Sequence, residues 1–133
     1  MPMITVRYLD RKEAGDLRAA VAAAAADVSE RTLGKARDVT AVLAEPADPA
    51  SWFVGGSVVS DSPLAAFFLE ITVTAGTNTK AETSAFVREM FERMETLLGP
   101  VDARSYVNVR AADGDGYGYG GRTQNSRWAE ASR

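Results

Sequence analysis

Neither histidine nor cysteine occurs anywhere in this chain. Their absence excludes disulfides, thiolate nucleophiles, imidazole bases and the commonest zinc ligands together. Long apolar runs are missing as well. The alanine-rich stretch 19–26 is flanked by charge and only moderately hydrophobic, so it reads neither as a signal core nor as one of the roughly 20-residue segments that span a membrane. A cationic excess is also lacking. Lys and Arg number 15 against 18 Asp and Glu, a formal charge of -3, and the basic residues are scattered. Nothing there supplies the positive field that a phosphate backbone requires, so the expectation is no nucleic-acid partner and no membrane partner. What remains is a cytoplasmic protein whose catalyst, if it has one, is neither His nor Cys.

Turning to what is present, 133 residues with 46% hydrophobic and 25% charged composition are enough for one folded domain over 1–133. Met3–Leu9 alternates Ile4, Val6 and Tyr8 with Thr5 and Arg7, the period of a half-buried strand. Asp10, with Glu13 three residues on, is placed to cap a helix carrying Leu17, Val21, Ala24, Ala25 and Val28, and Gly34 is its stop. A strand over 39–43 completes a first β-α-β unit, 2–45. The stretch 46–66 is a connecting loop, rich in Pro, Gly, Ser and Asp around an apolar Trp52-Phe53-Val54 that predicts a short strand.

The pattern then repeats over 67–110. Phe67–Thr74 is rich in β-branched and aromatic residues, and Thr79 with Glu82 forms a capping box before Phe86, Met90, Met94 and Leu97. Gly99-Pro100 ends that helix and 105–110 is the returning strand. The implied fold class is α+β: two tandem β-α-β units forming a four-stranded sheet with both helices on one face. The other face is left without a covering layer, so a partner is expected there. The arm 111–133 opens with a run of glycine and tyrosine too glycine-rich for a helix, and an irregular hairpin or extension is expected. Asp113-Gly114-Asp115-Gly116 lacks the later acidic ligands of a calcium loop, and the spacing of Gly116, Gly118 and Gly120 is not that of a dinucleotide fingerprint.

Three groups of residues carry candidate chemistry. Pro2 becomes a secondary amine if Met1 is removed, and an apolar pocket or a nearby cation lowers the pKa of such an amine toward neutrality, where it serves as a general base. With Met1 in place the nitrogen is an amide and has no such role. Tyr106 and Asn108, two residues apart on the last main strand, leave the same face while Val107 and Val109 take the helix side. They are placed to donate hydrogen bonds to a carbonyl or enolate oxygen, or else to line a subunit interface. Lys35 follows the first helix, where it is either a solvated lysine or a carboxylate ligand that also lowers the Pro2 pKa. Tyr117 and Tyr119 supply apolar walls.

Met1-Pro2, the doubled β-α-β pattern, Phe53-Val54-Gly55-Gly56 and Tyr106-Val107-Asn108 together resemble the macrophage migration inhibitory factor branch of the tautomerase superfamily, the group that includes 4-oxalocrotonate tautomerase, over about residues 2–123. The resemblance implies a homotrimer with sites between subunits, and no cofactor or metal. It implies Pro2 as the catalytic residue, and Lys35, Thr72, Tyr106, Asn108, Tyr117 and Tyr119 as substrate-binding residues, with a tyrosine reaching in from an adjacent subunit. The implied activity is keto-enol tautomerisation of an α-keto or unsaturated keto acid. Two other readings stay open: a dehalogenase or decarboxylase in which Pro2 is a general acid, and a non-catalytic trimeric binding module. The arginines that dehalogenase and decarboxylase members carry near the segment matching 70–74 are absent there.

Overall fold

The computed structural model describes residues 1–131. Strand β1, Met3–Leu9, leads into helix α1, Arg18–Leu33, and strand β2, Ala41–Ala47, which pairs parallel with β1. A small hairpin follows, β3, Phe53–Val54, against β4, Ser57–Val58. The second unit is β5, Phe67–Thr74, helix α2, Lys80–Leu98, and β6, Tyr106–Ala112, again parallel. Antiparallel pairing of β1 with β5 joins the units into one sheet, ordered β2-β1-β5-β6. The chain then forms a tight hairpin, β7, Gly118–Tyr119, against β8, Arg122–Thr123, and a last helix α3, Gln124–Ala131.

One face of the sheet makes the core. Ile4, Val6, Leu69, Ile71 and Val73 pack against Val21, Ala24, Ala25 and Val28 of α1 and Phe86, Met90 and Met94 of α2. The alanines of α1 let its backbone lie close to the sheet, and Phe67 meets Phe91 with ring centroids 5.8 Å apart. Across the other face run three rows set by register: Ala41, Met3, Thr72 and Arg110; Leu43, Thr5, Glu70 and Asn108; Glu45, Arg7, Phe68 and Tyr106. Met3, Leu43 and Phe68 are 42%, 48% and 42% exposed, so the expected uncovered face exists and is partly apolar.

Several element ends differ from the sequence expectation. Asp10 and Glu13 form no capping box. A short 3-10 turn, Lys12–Ala14, is ended by Gly15 at φ +77, and α1 starts only at Arg18, whose backbone N–H is taken by the Asp16 carboxylate at 3.0 Å. Residues 37–39 turn rather than extend, so β2 begins at Ala41. It then runs on to Ala47 because its ladder with β1 continues to Leu9. Pro46 is tolerated there because β2 is an edge strand. The arm is a hairpin, as expected, but it continues into α3, which was not anticipated. The Thr79–Glu82 capping box is formed in both directions, at 2.8 and 3.1 Å, and Gly34 ends α1 in the left-handed region.

Candidate active site at the amino terminus

The amino terminus lies at the end of β1, where β2, β5 and the C-terminal hairpin meet. Pro2 is fully buried beneath Met1, and its carbonyl accepts the Ala41 N–H at 3.0 Å. The cleft above it, about 520 Å³, is lined by Met1, Pro2, Met3, Asp38, Val39, Thr40, Ala41, Tyr117, Gly118 and Tyr119.

Tyr117 is held by two strands at once. Its hydroxyl accepts the Met3 N–H at 3.1 Å and donates to the Thr72 carbonyl at 2.9 Å. The rest of the arm is folded to deliver that side chain. Gln124 N–H bonds to the Tyr117 carbonyl at 2.8 Å, and Asn125 N–H to that of Gly114 at 3.0 Å. A side chain at Gly118 would run into the backbone of Arg122 and Thr123, so glycine is required at that crossing. Thr72 therefore acts through its backbone, as an anchor for Tyr117.

Lys35 reaches the same region from the end of α1. Its ammonium donates to Thr77 Oγ1 at 3.0 Å, and that hydroxyl donates in turn to the Thr74 carbonyl at 2.6 Å. Asn78 Nδ2 ties the loop to the Leu33 carbonyl at 2.9 Å. No carboxylate pairs with Lys35 among the described residues, and burial holds its pKa below the usual lysine range. The amine of Met1 is likewise held below its ordinary value, first by burial and then by the positive charge of Lys35, with Asp38 opposing. Chain folding thus places a cation and apolar walls around the N-terminal amine.

Tyr106 and Asn108 are elsewhere in the same chain. Both point from the open face as their alternation implied, Tyr106 being 68% exposed, while Val107 and Val109 pack on the core. They line a separate cleft of about 690 Å³ with Trp52, Phe53, Val54, Gly55, Phe68 and Arg104, Tyr106 lying toward the opposite end of the strands from Pro2 and Asn108 in the middle row. Phe53 belongs to that cleft. Asn108 Nδ2 donates to Glu70 at 3.4 Å. One chain therefore brings together Pro2, Lys35, Thr72, Tyr117 and Tyr119, and keeps Tyr106 and Asn108 apart from them.

With the geometry in hand, likeness to solved structures decides the fold. The chain superposes on a fused 4-OT from an asymmetric trimer at a TM-score of 0.79, with 16% identity over 94% of this chain and 98% of that one. The fold is that of 4-OT and the MIF-like proteins. A macrophage migration inhibitory factor-like protein of Entamoeba histolytica matches at 0.70, with 17% identity, covering 92% of this chain and 97% of the other. The macrophage migration inhibitory factor of Trichinella spiralis gives 0.69, with 18% identity, covering 91% and 98%. The fold that the resemblance implied is thereby upheld. No family model and no curated protein matches the sequence.

The sequence reading missed Thr77, which positions Lys35, and Arg127 and Trp128 of α3, which border the neighbouring cleft. One signal for α3 was available: Thr123 accepts the Ser126 N–H at 3.1 Å, the bond of a helix N-cap. None of the described helices is long and apolar enough to cross a membrane.

Proposed function

We propose that this chain is a cofactor-independent keto-enol tautomerase of the tautomerase superfamily. It acts as a homotrimer on an α-keto or unsaturated keto acid, with the Pro2 amine, freed by loss of Met1, as general base. The observation that carries this is the N-terminal amine itself, set in an apolar cleft beside Lys35, where burial and a neighbouring cation both disfavour its protonated form. With Met1 gone, the amine belongs to a proline already buried between β2 and Tyr117.

In this mechanism the proline lone pair takes a proton from the carbon next to the keto group. The C–H electrons move into the new C=C bond, and negative charge develops on oxygen. The prolinium then returns its proton at the other end of the conjugated system. Lys35 holds the substrate carboxylate, and Tyr117 and Tyr119 wall the carbon chain. Tyr106 and Asn108 of a neighbouring subunit donate to the developing oxyanion, since within one chain they lie in a different cleft. The uncovered sheet face, which a single chain leaves open, is the surface through which that neighbour docks.

The experiment compares processed protein with a form in which Met1 is retained, using phenylpyruvate and 2-hydroxymuconate. The blocked form keeps its assembly state and loses on the order of 10²-fold or more in turnover, the scale of a general-base contribution. Undiminished turnover with Met1 in place would falsify the mechanism.

A further inference from the structure

Met1, Val39 and Tyr119 line both the Pro2 cleft and a neighbouring cleft of about 640 Å³, so these three side chains divide the two. Val39 sits in the turn before β2, and Met1 is the residue that processing removes. Tyr119 is then the partition whose position the C-terminal arm must supply. Arg127 of α3 lines the neighbouring cleft but not the Pro2 cleft, so it backs the Tyr119 ring from the side away from Pro2.

Backbone pairing fixes where Tyr119 leaves the chain but not how its ring is turned. Strands β7 and β8 are joined by Gly120 and Gly121 at φ +62 and +79, the tight two-residue turn of a hairpin. The orientation of the ring comes from Arg127. Its guanidinium carbon lies 3.9 Å from the ring centroid, and Nη2 donates to the Tyr119 carbonyl at 2.9 Å, so one side chain grips the ring and the backbone of the same residue. Among the described residues no carboxylate pairs with Arg127, whereas Arg122 of β8 pairs with Glu130 of α3. The Arg127 Nε is buried with no hydrogen-bond partner, and an arginine that gained nothing from the ring would turn that donor to water. Gly120 leaves room for the pose, because a side chain there would crowd Nη2. Helix α3 is itself tied down, Asn125 Nδ2 donating to the Asp115 carboxylate at 2.9 Å.

We infer that Arg127 is a positioning residue of this site: it fixes the Tyr119 ring as the wall against which the apolar part of a substrate packs, and it acts on the substrate only through that ring. This rests on the assignment of the Pro2 cleft as the reaction site, but its test does not need turnover.

3-Phenylpropanoate and propanoate, unreactive acids that share a carboxylate and differ by an aromatic ring, are titrated calorimetrically into the processed protein. Arg127→Met weakens 3-phenylpropanoate by about three- to tenfold, the scale of one ordered aromatic contact, and leaves propanoate unchanged. Arg127→Lys, which keeps the cation, retains most of the affinity. In a Tyr119→Ala background, where the wall is already gone, Arg127→Met costs nothing further. Should Arg127→Met fail to assemble, Gly120→Asn decides: asparagine suits a turn position of positive φ, and its side chain pushes Nη2 off the Tyr119 carbonyl while Arg127 itself remains. That variant shows the same selective loss. Unchanged 3-phenylpropanoate affinity in both variants, an equal loss for the two acids, a loss that persists without the Tyr119 ring, or binding of neither acid overturns the proposal. A loss that runs through Tyr119 in a protein that turns over no keto acid upholds this inference and removes the tautomerase reading.

Discussion

The hydroxyl of Tyr117 donates to the carbonyl of Thr72 at 2.9 Å, and the same oxygen accepts the Met3 N–H at 3.1 Å. A side chain from the C-terminal arm thereby closes the end of the β1–β5 ladder one residue from Pro2. The arm is fastened to the sheet at the point where the reaction is proposed, so its folding and the shape of the cleft are coupled.

Replacing Tyr117 by Phe tests this coupling. The ring remains but two backbone groups lose their shared partner, and because the site is only half-buried, water replaces part of the loss. The expected cost is about 1 kcal/mol, visible as a fall of a few degrees in Tm, with a raised KM from a loosened wall. Unchanged Tm and KM together would show that the bridge contributes nothing.

Lys35→Met bears on the base. Lys35 disfavours the protonated amine of Met1, and the same charge beside the Pro2 amine of the processed protein acts in the same direction, so its removal raises that amine's pKa. Turnover rises as the amine loses its proton, so the acidic limb of kcat/KM moves to higher pH in the variant. Pro2 is itself fully buried, and that burial persists in the variant, so the limb moves only part of the way to the value of an ordinary amine. A limb that stays in place removes Lys35 from the electrostatics of the base.

The same depression has a consequence for stability. In protein that keeps Met1, the folded amine binds its proton less readily than the unfolded one, whose pKa is near 8.0. Stability from this group is fully present above that value and is lost as pH falls through the lower folded pKa, because unfolding then takes up a proton. Urea midpoints across this window, compared with those of N-acetylated protein, isolate the effect. Parallel profiles for the two forms would mean that the amine is not perturbed.

Leu43→Glu probes the open face. Leu43 is 48% exposed in a single chain, so burying the rest of its side chain in an interface would contribute about 1 kcal/mol, half of what full burial of a leucine gives. Light scattering is expected to give a trimer for the native sequence at micromolar concentration and a smaller species for the variant, with turnover falling alongside. A Leu43→Glu trimer of full activity would place the interface elsewhere.

What the sequence determined by itself was whatever local chemistry controls. Strict alternation defined Met3–Leu9 and sent Tyr106 and Asn108 to the face opposite Val107 and Val109. Thr79 and Glu82 announced their own helix start, and Gly34 supplied the left-handed stop. Where a local signal misled, at Asp10 and Glu13, another local feature prevailed: Gly15 interrupted the backbone before the apolar helical stripe began. The site depended on tertiary structure because its contacts are distant in sequence. Tyr117 meets Met3 across a separation of 114 residues, and Lys35 meets Thr77 across 42. Neither contact exists until the sheet order places β1 between β2 and β5 and the arm folds back on their ends. The same order holds Tyr106 at the far end of the strands and Asn108 in the middle row, positions that no residue pattern encodes, since periodicity selects the face a side chain leaves from and only strand register selects its position along that face.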